Sequence, residues 1–440
     1  MILRYTPTVV VNFMGGNVSE KHYDWAPGAR PPLIKQHSLA KHEILRAYLI
    51  AYMQTLTSSP RQEEFRLTLV DGFAGGGVYC HATTGSEVLG SPFIMLEAAR
   101  EAELIINQAR QKKIHFDIHY FFIEAKTATA NVLRHQLVER GYGERLNKSI
   151  FILNGRFNDH SEKVVQAIKA RSPRSAKAIF LLDQYGYSEV PVSLLYMLMH
   201  SLAGAEIILT FAVDSFINFA SDHPITKRGL ERIGVSDLLH GRSFEEIKST
   251  EENWRLFIQS CLYKEIVEAS GASYYTPFFV RTNGHGDYWL LHLSQRSRAR
   301  DVMARIHWDK NNYFIHYGGA GLNMFQMLGY VPEMDSTYTG QFDLDFCFDN
   351  LAKEKSIKCL ADQIPRLIHP NPKGMTFGNF FSTTCYSTPA STAIYRDALG
   401  LLLKYKEIQI IGEDGTERRS ANRIHDTDLI SLPKQQFFHF

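Results

Sequence analysis

The chain lacks what a membrane span needs. No apolar run approaches ~18 residues, and stretches such as Tyr120 to Ile123 and Ile179 to Leu182 are short and flanked by charge. It also lacks a leader pattern: the N-terminus has one basic residue, Arg4, and Val9 to Met14 is broken by Asn12, which is too short and polar for a signal peptide. The five cysteines (Cys80, Cys261, Cys347, Cys359, Cys385) are odd in number and show no C-x-x-C spacing. A disulfide framework and a structural zinc site are therefore not expected, and a reducing cytoplasm is the expected compartment. No H-E-x-x-H pair accompanies the 18 histidines, so no metal site is expected. A net charge of +2 excludes a bulk polycation; any nucleic acid must be held by local patches. Repeats and low-complexity tracts are missing as well.

What is present is 440 residues, 45% hydrophobic and 21% charged, the composition of a folded chain of two to three domains. Residues 1–33 read as an extended arm. From His37, apolar residues at Leu39, Ile44, Leu45, Tyr48, Leu49 and Tyr52 recur at helical spacing. Short apolar runs bounded by turns follow at 67–70, 118–123, 150–153, 178–182 and 207–212, alternating with helical patterns. That alternation predicts a parallel α/β sheet. A helical insertion is expected at about 214–270. Next comes a hairpin, Tyr275 to Arg281 and Tyr288 to Leu293, around an Asn283-Gly284 turn. Five parallel strands closed by an antiparallel hairpin predict a class I methyltransferase-like, Rossmann-like sheet of seven strands, over about residues 34–330. Residues 331–440 differ in texture: a charged stretch around Asp343 to Asp345, then helix, hairpin and strand, read as a winged-helix-like module.

The strongest chemical signal is Asp71-Gly72-Phe73-Ala74-Gly75-Gly76-Gly77, directly after the first strand. Glycines there admit a ligand close to backbone, outside the strand's carboxyl end. The spacing is not G-x-G-x-x-G, and no G-K-[ST] follows. An acid before such a turn fits S-adenosylmethionine (SAM): Asp71 takes the methionine ammonium, while Phe73, Gly75 and Gly77 admit the cofactor. The competing reading is a turn that serves the fold alone. Glu124 ends the second strand and suits the ribose hydroxyls, or is a solvated acid at a helix start. After the third strand, Phe157 in Asn154 to Asp159 offers a platform for adenine, or is one buried ring in a polar loop.

The fourth strand ends Leu182-Asp183-Gln184-Tyr185-Gly186-Tyr187. An acid and a backbone carbonyl at that position can accept hydrogen bonds from an exocyclic amine, with Tyr185 or Tyr187 stacking on the extruded base. The plain alternative is an acidic turn with packing tyrosines. Arg298 and Arg305, with Arg418, Arg419 and Arg423 of the C-terminal wing, are candidate phosphate contacts, or a solvated face.

The segments His37 to Tyr52, Asp71 to Tyr79, Gly90-Ser91-Pro92, Phe121 to Glu124, Phe180 to Val190, Ile208 to Asp214, His307-Trp308 and His316 to Gly319 resemble the three-Cys-motif partner (TcmP) family. That family is named for cysteines in a neighbouring phage-type protein, so the resemblance implies such a partner and a methyltransferase-like fold. Asp71-x-Phe-Ala-Gly-x-Gly-x-Tyr79 with Gly90-Ser91-Pro92 is more distantly similar to bacterial adenine-N6 methyltransferases of large-subunit ribosomal RNA. This second resemblance implies an insertion between the first two strands. It also implies that Asp71, Gly75 and Gly77 contact SAM, Glu124 its ribose, and Asp183 the target amine. Those enzymes carry Asp-Pro-Pro-Tyr where this chain has Asp183-Gln184-Tyr185-Gly186.

The expected function is SAM-dependent methylation of an exocyclic amine in DNA or RNA, adenine N6 favoured. The alternative is a non-catalytic or regulatory partner of a three-Cys-motif protein, binding nucleotide or nucleic acid in phage defence. A nuclease ranks third, because carboxylate clusters for paired metals are missing.

Overall fold

Strands that are covered by helices on both faces lose their polar-apolar alternation, and β1 (Glu64–Asp71) shows this: its last five residues are all buried. The structure, a computed structural model, describes residues 23–185, 187–251, 254–282, 285–310, 315–316, 320–322 and 346–433. Most of the expected arm, Gly186, the Asn283-Gly284 turn, Gly318-Gly319 and the Asp343 to Asp345 stretch lie outside the described residues.

Helix α1 (Gln36–Leu56) precedes β1, and a small antiparallel hairpin, β2 (Val78–Cys80) with β3 (Glu87–Leu89), follows it. Then come α2 (Ser91–Gln108), β4 (His115–Glu124), α3 (Thr127–Glu139), β5 (Ile150–Asn154), α4 (Phe157–Arg171), β6 (Lys177–Leu182), α5 (Val192–Ser201) and β7 (Gly204–Phe211). Four helices form the insertion: α6 (Val213–Phe219), α7 (Pro224–Ile233), α8 (Phe244–Thr250) and α9 (Trp254–Ser270). The hairpin β8 (Tyr274–Thr282) and β9 (His285–Ser294) leads to α10 (Ser297–Asp309).

The sheet has seven strands in the order β5-β4-β1-β6-β7-β9-β8. Its first five are mutually parallel, and β9 runs antiparallel to both β7 and β8. This is the class I methyltransferase order, with the β2–β3 hairpin as the insertion between its first two strands. Helix α1 packs on α2 and α10, and Tyr48, Leu49 and Met53 are wholly buried in the main core.

A two-stranded pair, β10 (Ile315–His316) with β11 (Phe346–Cys347), precedes the C-terminal unit. That unit contains α11 (Asn350–Ile368), β12 (Met375–Thr376), α12 (Phe377–Thr384), α13 (Thr392–Lys404), β13 (Gln409–Ile411) and β14 (Leu429–Ser431), with sheet order β12-β14-β13. Asp349 caps α11 by accepting the Ala352 amide at 2.7 Å. Leu360, Phe377, Tyr395, Leu399 and Ile430 fill a second core of its own. No helix among the described residues is long and apolar enough to cross a membrane.

Candidate active site at the carboxyl ends of the parallel strands

Parallel strands bring all their carboxyl ends to one edge of the sheet. Asp71 closes β1, Glu124 closes β4, Asn154 closes β5, and Asp183 follows β6. Asp71 is wholly buried; its Oδ1 accepts the Phe73 amide at 3.1 Å, and its Oδ2 meets no hydrogen-bond geometry among the described residues. Burial pushes this carboxyl up to about 7 against the pull of the Ser91 hydroxyl and the Phe73 amide, and the charges of Asp183 and Glu124 add to the rise.

Glu124 ties the turn to the sheet. Its Oε2 accepts the Gly75 amide at 3.0 Å and its Oε1 the Lys126 amide at 2.8 Å. Asn154 reaches back to the Glu124 carbonyl at 2.9 Å and accepts the Thr127 hydroxyl at 2.7 Å. Phe157 settles between its two readings as a core residue. It is 2% exposed, and its ring packs beneath Gly72 and edge-on to Phe180. As the first residue of α4 it turns inward, so its ring is no open platform for adenine.

Gly75, Gly76 and Gly77 each face a close neighbour. Gly77 has φ +83°, and a Cβ there would meet Phe93 at 2.7 Å and Leu133 at 2.8 Å. Gly76 faces the Trp25 indole, which a Cβ would meet at 2.3 Å. That indole donates to the Val78 carbonyl at 2.7 Å and sits with Tyr23 and Tyr79 in one aromatic cluster. The close approach that these glycines permit is thus made in part by the chain's own arm. Ala at position 76 is expected to expel the indole, so limited proteolysis ahead of Lys35 accelerates and tryptophan fluorescence shifts to the red. Gly143→Ala, where the nearest atom would be 3.6 Å away, is the control. Equal cleavage of both variants refutes the contact.

Asp183 has a partner from α1. Lys41 Nζ lies 2.5 Å from its Oδ1 and 2.8 Å from its Oδ2, with side chains 10% and 27% exposed. Burial pushes this carboxyl up, but the charge and hydrogen bond of Lys41, with the Thr210 hydroxyl and His42, outweigh it and hold the group below the usual carboxylate range. His42 beside it is held down to about 4, chiefly by burial, so it is neutral near pH 7. The sequence did carry one signal for Lys41: it stands three and four residues before Ile44 and Leu45, on the buried stripe of α1.

The next residues divide the roles expected of them. Gln184 is 3% exposed, and its Oε1 accepts the Glu189 and Val190 amides at 2.9 and 3.1 Å. Its side chain pins the loop, leaving only the main-chain carbonyl for a target amine. Tyr185 is 45% exposed, with Lys35 Nζ 5.8 Å from its ring centre; the same ammonium lies 5.7 Å from Tyr23. Tyr187 packs on Phe211 and edge-on to Phe216, and burial pushes its hydroxyl up.

The candidate phosphate contacts are not alike. Arg298 and Arg305 lie 3.9 and 3.6 Å from the buried Asp301 carboxylate. Asp301 accepts the Thr392 amide at 2.7 Å and its hydroxyl at 2.9 Å. The buried Arg300 donates to the Thr388 and Ala390 carbonyls, and Trp308 to Pro389. These α10 residues therefore grip the turn that leads into α13. In the wing, Arg418 is held by Asp428 at 2.9 Å and Asp414 at 3.5 Å. Arg418 is thus a strut, a correction to its expected role on the surface. Arg419 and Arg423 are exposed and have no ion-pair partner among the described residues.

A family model described as a GMT-like wHTH domain matches residues 329–415. The C-terminal unit is a winged helix-turn-helix. Its α12–α13 pair, and the β13–β14 hairpin that carries the wing, follow that plan. No curated protein matches the chain. Among solved structures it is similar to a Legionella pneumophila protein, LPL1258, of the DUF519 family model: 11% identity, 62% of this chain and 92% of that one, TM-score 0.30. It is also similar to the METTL16 MTase domain (8%, 57% and 83%, TM-score 0.26) and to cofactor-bound Rv0187 from MTB (12%, 60% and 91%, TM-score 0.25). These likenesses are loose. The fold rests on the strand order itself.

Proposed function

We propose that the chain binds SAM and methylates an exocyclic amine of a nucleic-acid base, with adenine N6 favoured. The observation that supports this best is Asp183, kept ionised by Lys41, on the same sheet edge as Asp71 and Glu124. The residues fit the cofactor in one respect above all: the orphaned Asp71 Oδ2 is a buried acceptor suited to a cation such as an ammonium. Glu124, whose oxygens each keep a second lone pair, would take the ribose hydroxyls, and Phe73, Gly75 and Gly77 would line the turn. When bound, SAM supplies an electrophilic methyl on sulfur.

The protein's own part is orientation. An ionised Asp183 and the Gln184 carbonyl accept both N–H groups of the amine, which leaves nitrogen's lone pair as the one reactive direction. Lys41 secures the ionised state and fixes the carboxylate's angle. No strong base is needed, because the amine is neutral and sheds its proton after transfer. Tyr185, as the exposed ring, would stack on the extruded base. In this reading residues 1–33 are an arm, 34–330 the methyltransferase-like unit and 331–440 the winged-helix unit.

Transfer from labelled SAM onto total cellular DNA and RNA tests the proposal, with Asp183→Asn as the comparison. Transfer that is absent, or that survives Asp183→Asn, overturns it. Tyr185→Ala is expected to depress transfer by about 1–3 kcal/mol with an unchanged melting temperature. Tyr187→Ala should lower the melting temperature instead, because it opens the Phe211–Phe216 packing. In the wing, Arg419→Ala with Arg423→Ala is expected to weaken nucleic-acid binding and flatten its salt dependence by roughly one unit of slope per lost contact. Arg418→Ala should chiefly loosen the wing, and wild-type affinity in the Arg419/Arg423 double variant across a salt titration would make this face a protein-docking surface.

One observation favours the second reading, a regulatory partner of a three-Cys-motif protein that binds nucleotide without transfer. The Trp25 indole occupies the Gly75–Gly76 face that backbone would otherwise offer a cofactor. SAM titration by calorimetry separates the two, since only the first reading requires binding that Asp71→Ala destroys.

A further inference from the structure

We propose that a second cleft, at the amino-terminal half of β4, binds a phosphorylated nucleoside. The cleft has a volume of about 530 Å³ and lies between α2, the start of β4 and the turn after α3. That size suits a nucleotide and far exceeds a lone phosphate. Glu124 marks the candidate active site at the other end of the same strand, about 20 Å away, so the two sites are separate.

The charge balance inside the cleft points to an anion. Of its two acids, Asp117 pairs with Arg171 at 2.6 Å and with Arg66 at 3.3 Å, while Glu103, which accepts the Phe116 amide at 3.0 Å and lies 3.8 Å from His115 Nδ1, is the one carboxylate of the cleft with no arginine partner among the described residues. Arg140 is paired with Glu87. That leaves Arg100 and Arg145, which have no carboxylate partner among the described residues. Arg145 is moreover held in place. Its guanidinium lies 5.3 Å from the Tyr120 ring centre and 5.9 Å from that of Tyr142, and its Nε donates to the Ser149 hydroxyl at 3.1 Å. Ring contacts orient a guanidinium without neutralising it. The Arg145 guanidinium also hydrogen-bonds the Tyr120 hydroxyl, and the N–H groups left over can meet a phosphate.

The cleft also offers a ring. Gly141, at φ +82°, ends α3 in a left-handed turn, and the Tyr142 amide then donates to the Leu137 carbonyl at 2.8 Å. This turn sets the half-buried Tyr142 on the cleft wall, where a base can stack on it. A phosphate on the Arg100–Arg145 pair and a base against Tyr142 is the arrangement that follows. The nucleotide unit can come free or as part of a single strand.

Calorimetric titration of the full chain with AMP, adenosine, inorganic phosphate and a short single-stranded oligonucleotide tests this. AMP is expected to bind at least roughly tenfold more tightly than adenosine or phosphate, because only AMP engages both features. Arg145→Gln should weaken AMP about tenfold with the melting temperature unchanged, and the exposed Arg100→Gln serves if Arg145→Gln does not fold. Neither S-adenosylhomocysteine nor Asp183→Asn should alter AMP binding, which separates this cleft from the active site. An oligonucleotide tighter than AMP, with the same arginine dependence, identifies a strand as the source; equal affinity identifies a free nucleotide. Absence of both, or binding indifferent to both arginine variants, overturns the proposal.

Discussion

Replacing Asp71 by Asn is expected to raise the melting temperature at pH 8 and, in the same molecule, to destroy SAM binding. The carboxyl is wholly buried and sits near 7 against an ordinary 3.8, with burial as the chief cause. A group raised in the folded state keeps its proton there while the unfolded chain loses it. Its stability is therefore intact below about pH 4, erodes as pH climbs, and is lost once pH passes 7. A rise of that size corresponds to a ceiling of about 4 kcal/mol at pH 8. Asn keeps the acceptor for the Phe73 amide and never ionises, so its advantage should be nil near pH 4 and several degrees at pH 8. Binding runs the other way, because an ammonium needs the ionised form. In the parent, SAM affinity should grow up to about tenfold per pH unit below 7 and then level off. A flat difference in melting temperature between pH 4 and 8, or retained binding by Asp71→Asn, sinks this account.

Lys41→Met is expected to lower methyl transfer at least ~100-fold while SAM affinity stays within about twofold. Met keeps an unbranched aliphatic stem and removes the ammonium. Asp183 then has burial pushing its carboxyl up and, among the described residues, no charged partner in place of Lys41, since His42 is neutral at pH 7. Asp183 is the depressed kind of carboxylate, so its contribution is present above the unfolded value of 3.8 and fades as pH falls through the folded one. Lys41→Met should accordingly be less stable than the parent at pH 7, by roughly 1–3 kcal/mol because the pair is part-exposed, and the gap should narrow as pH falls below 3.8. Combined with Asp183→Asn, the two effects should be far from additive. Transfer that is indifferent to Lys41 would leave the ion pair a purely structural strap between α1 and the sheet.

Much of the fold was legible because its signals are local. A strand buried on both faces is a continuous apolar run, so Phe180 to Leu182 and Ile207 to Phe211 stand out against their helices. The glycine turn follows β1 directly, and the alternation of strand and helix implies parallel pairing, which brings Asp71, Glu124 and Asp183 to one edge. The winged-helix pattern at 391–432 was readable for the same reason. Where alternatives stayed open, burial settled them. Phe157 went to the core, Tyr187 half-buried against it and Tyr185 to the surface, although all three are aromatic residues in polar stretches of sequence.

The sequence by itself determined which residues end the strands and where the chain must turn, since periodicity and turn chemistry act over a few neighbours. It did not determine who meets those residues. Lys41 and Asp183 are 142 positions apart, and Trp25 and Val78 are 53 apart. Such pairs arise only when α1 is laid across the sheet and the arm over the glycine turn. Arg418 read in the sequence as a phosphate contact or a solvated face, and it is paired with Asp428 because a wing folded onto β14 brings the two within 2.9 Å. Long-range packing chooses partners by shape and desolvation across the whole fold, and no local pattern in the chain records that choice.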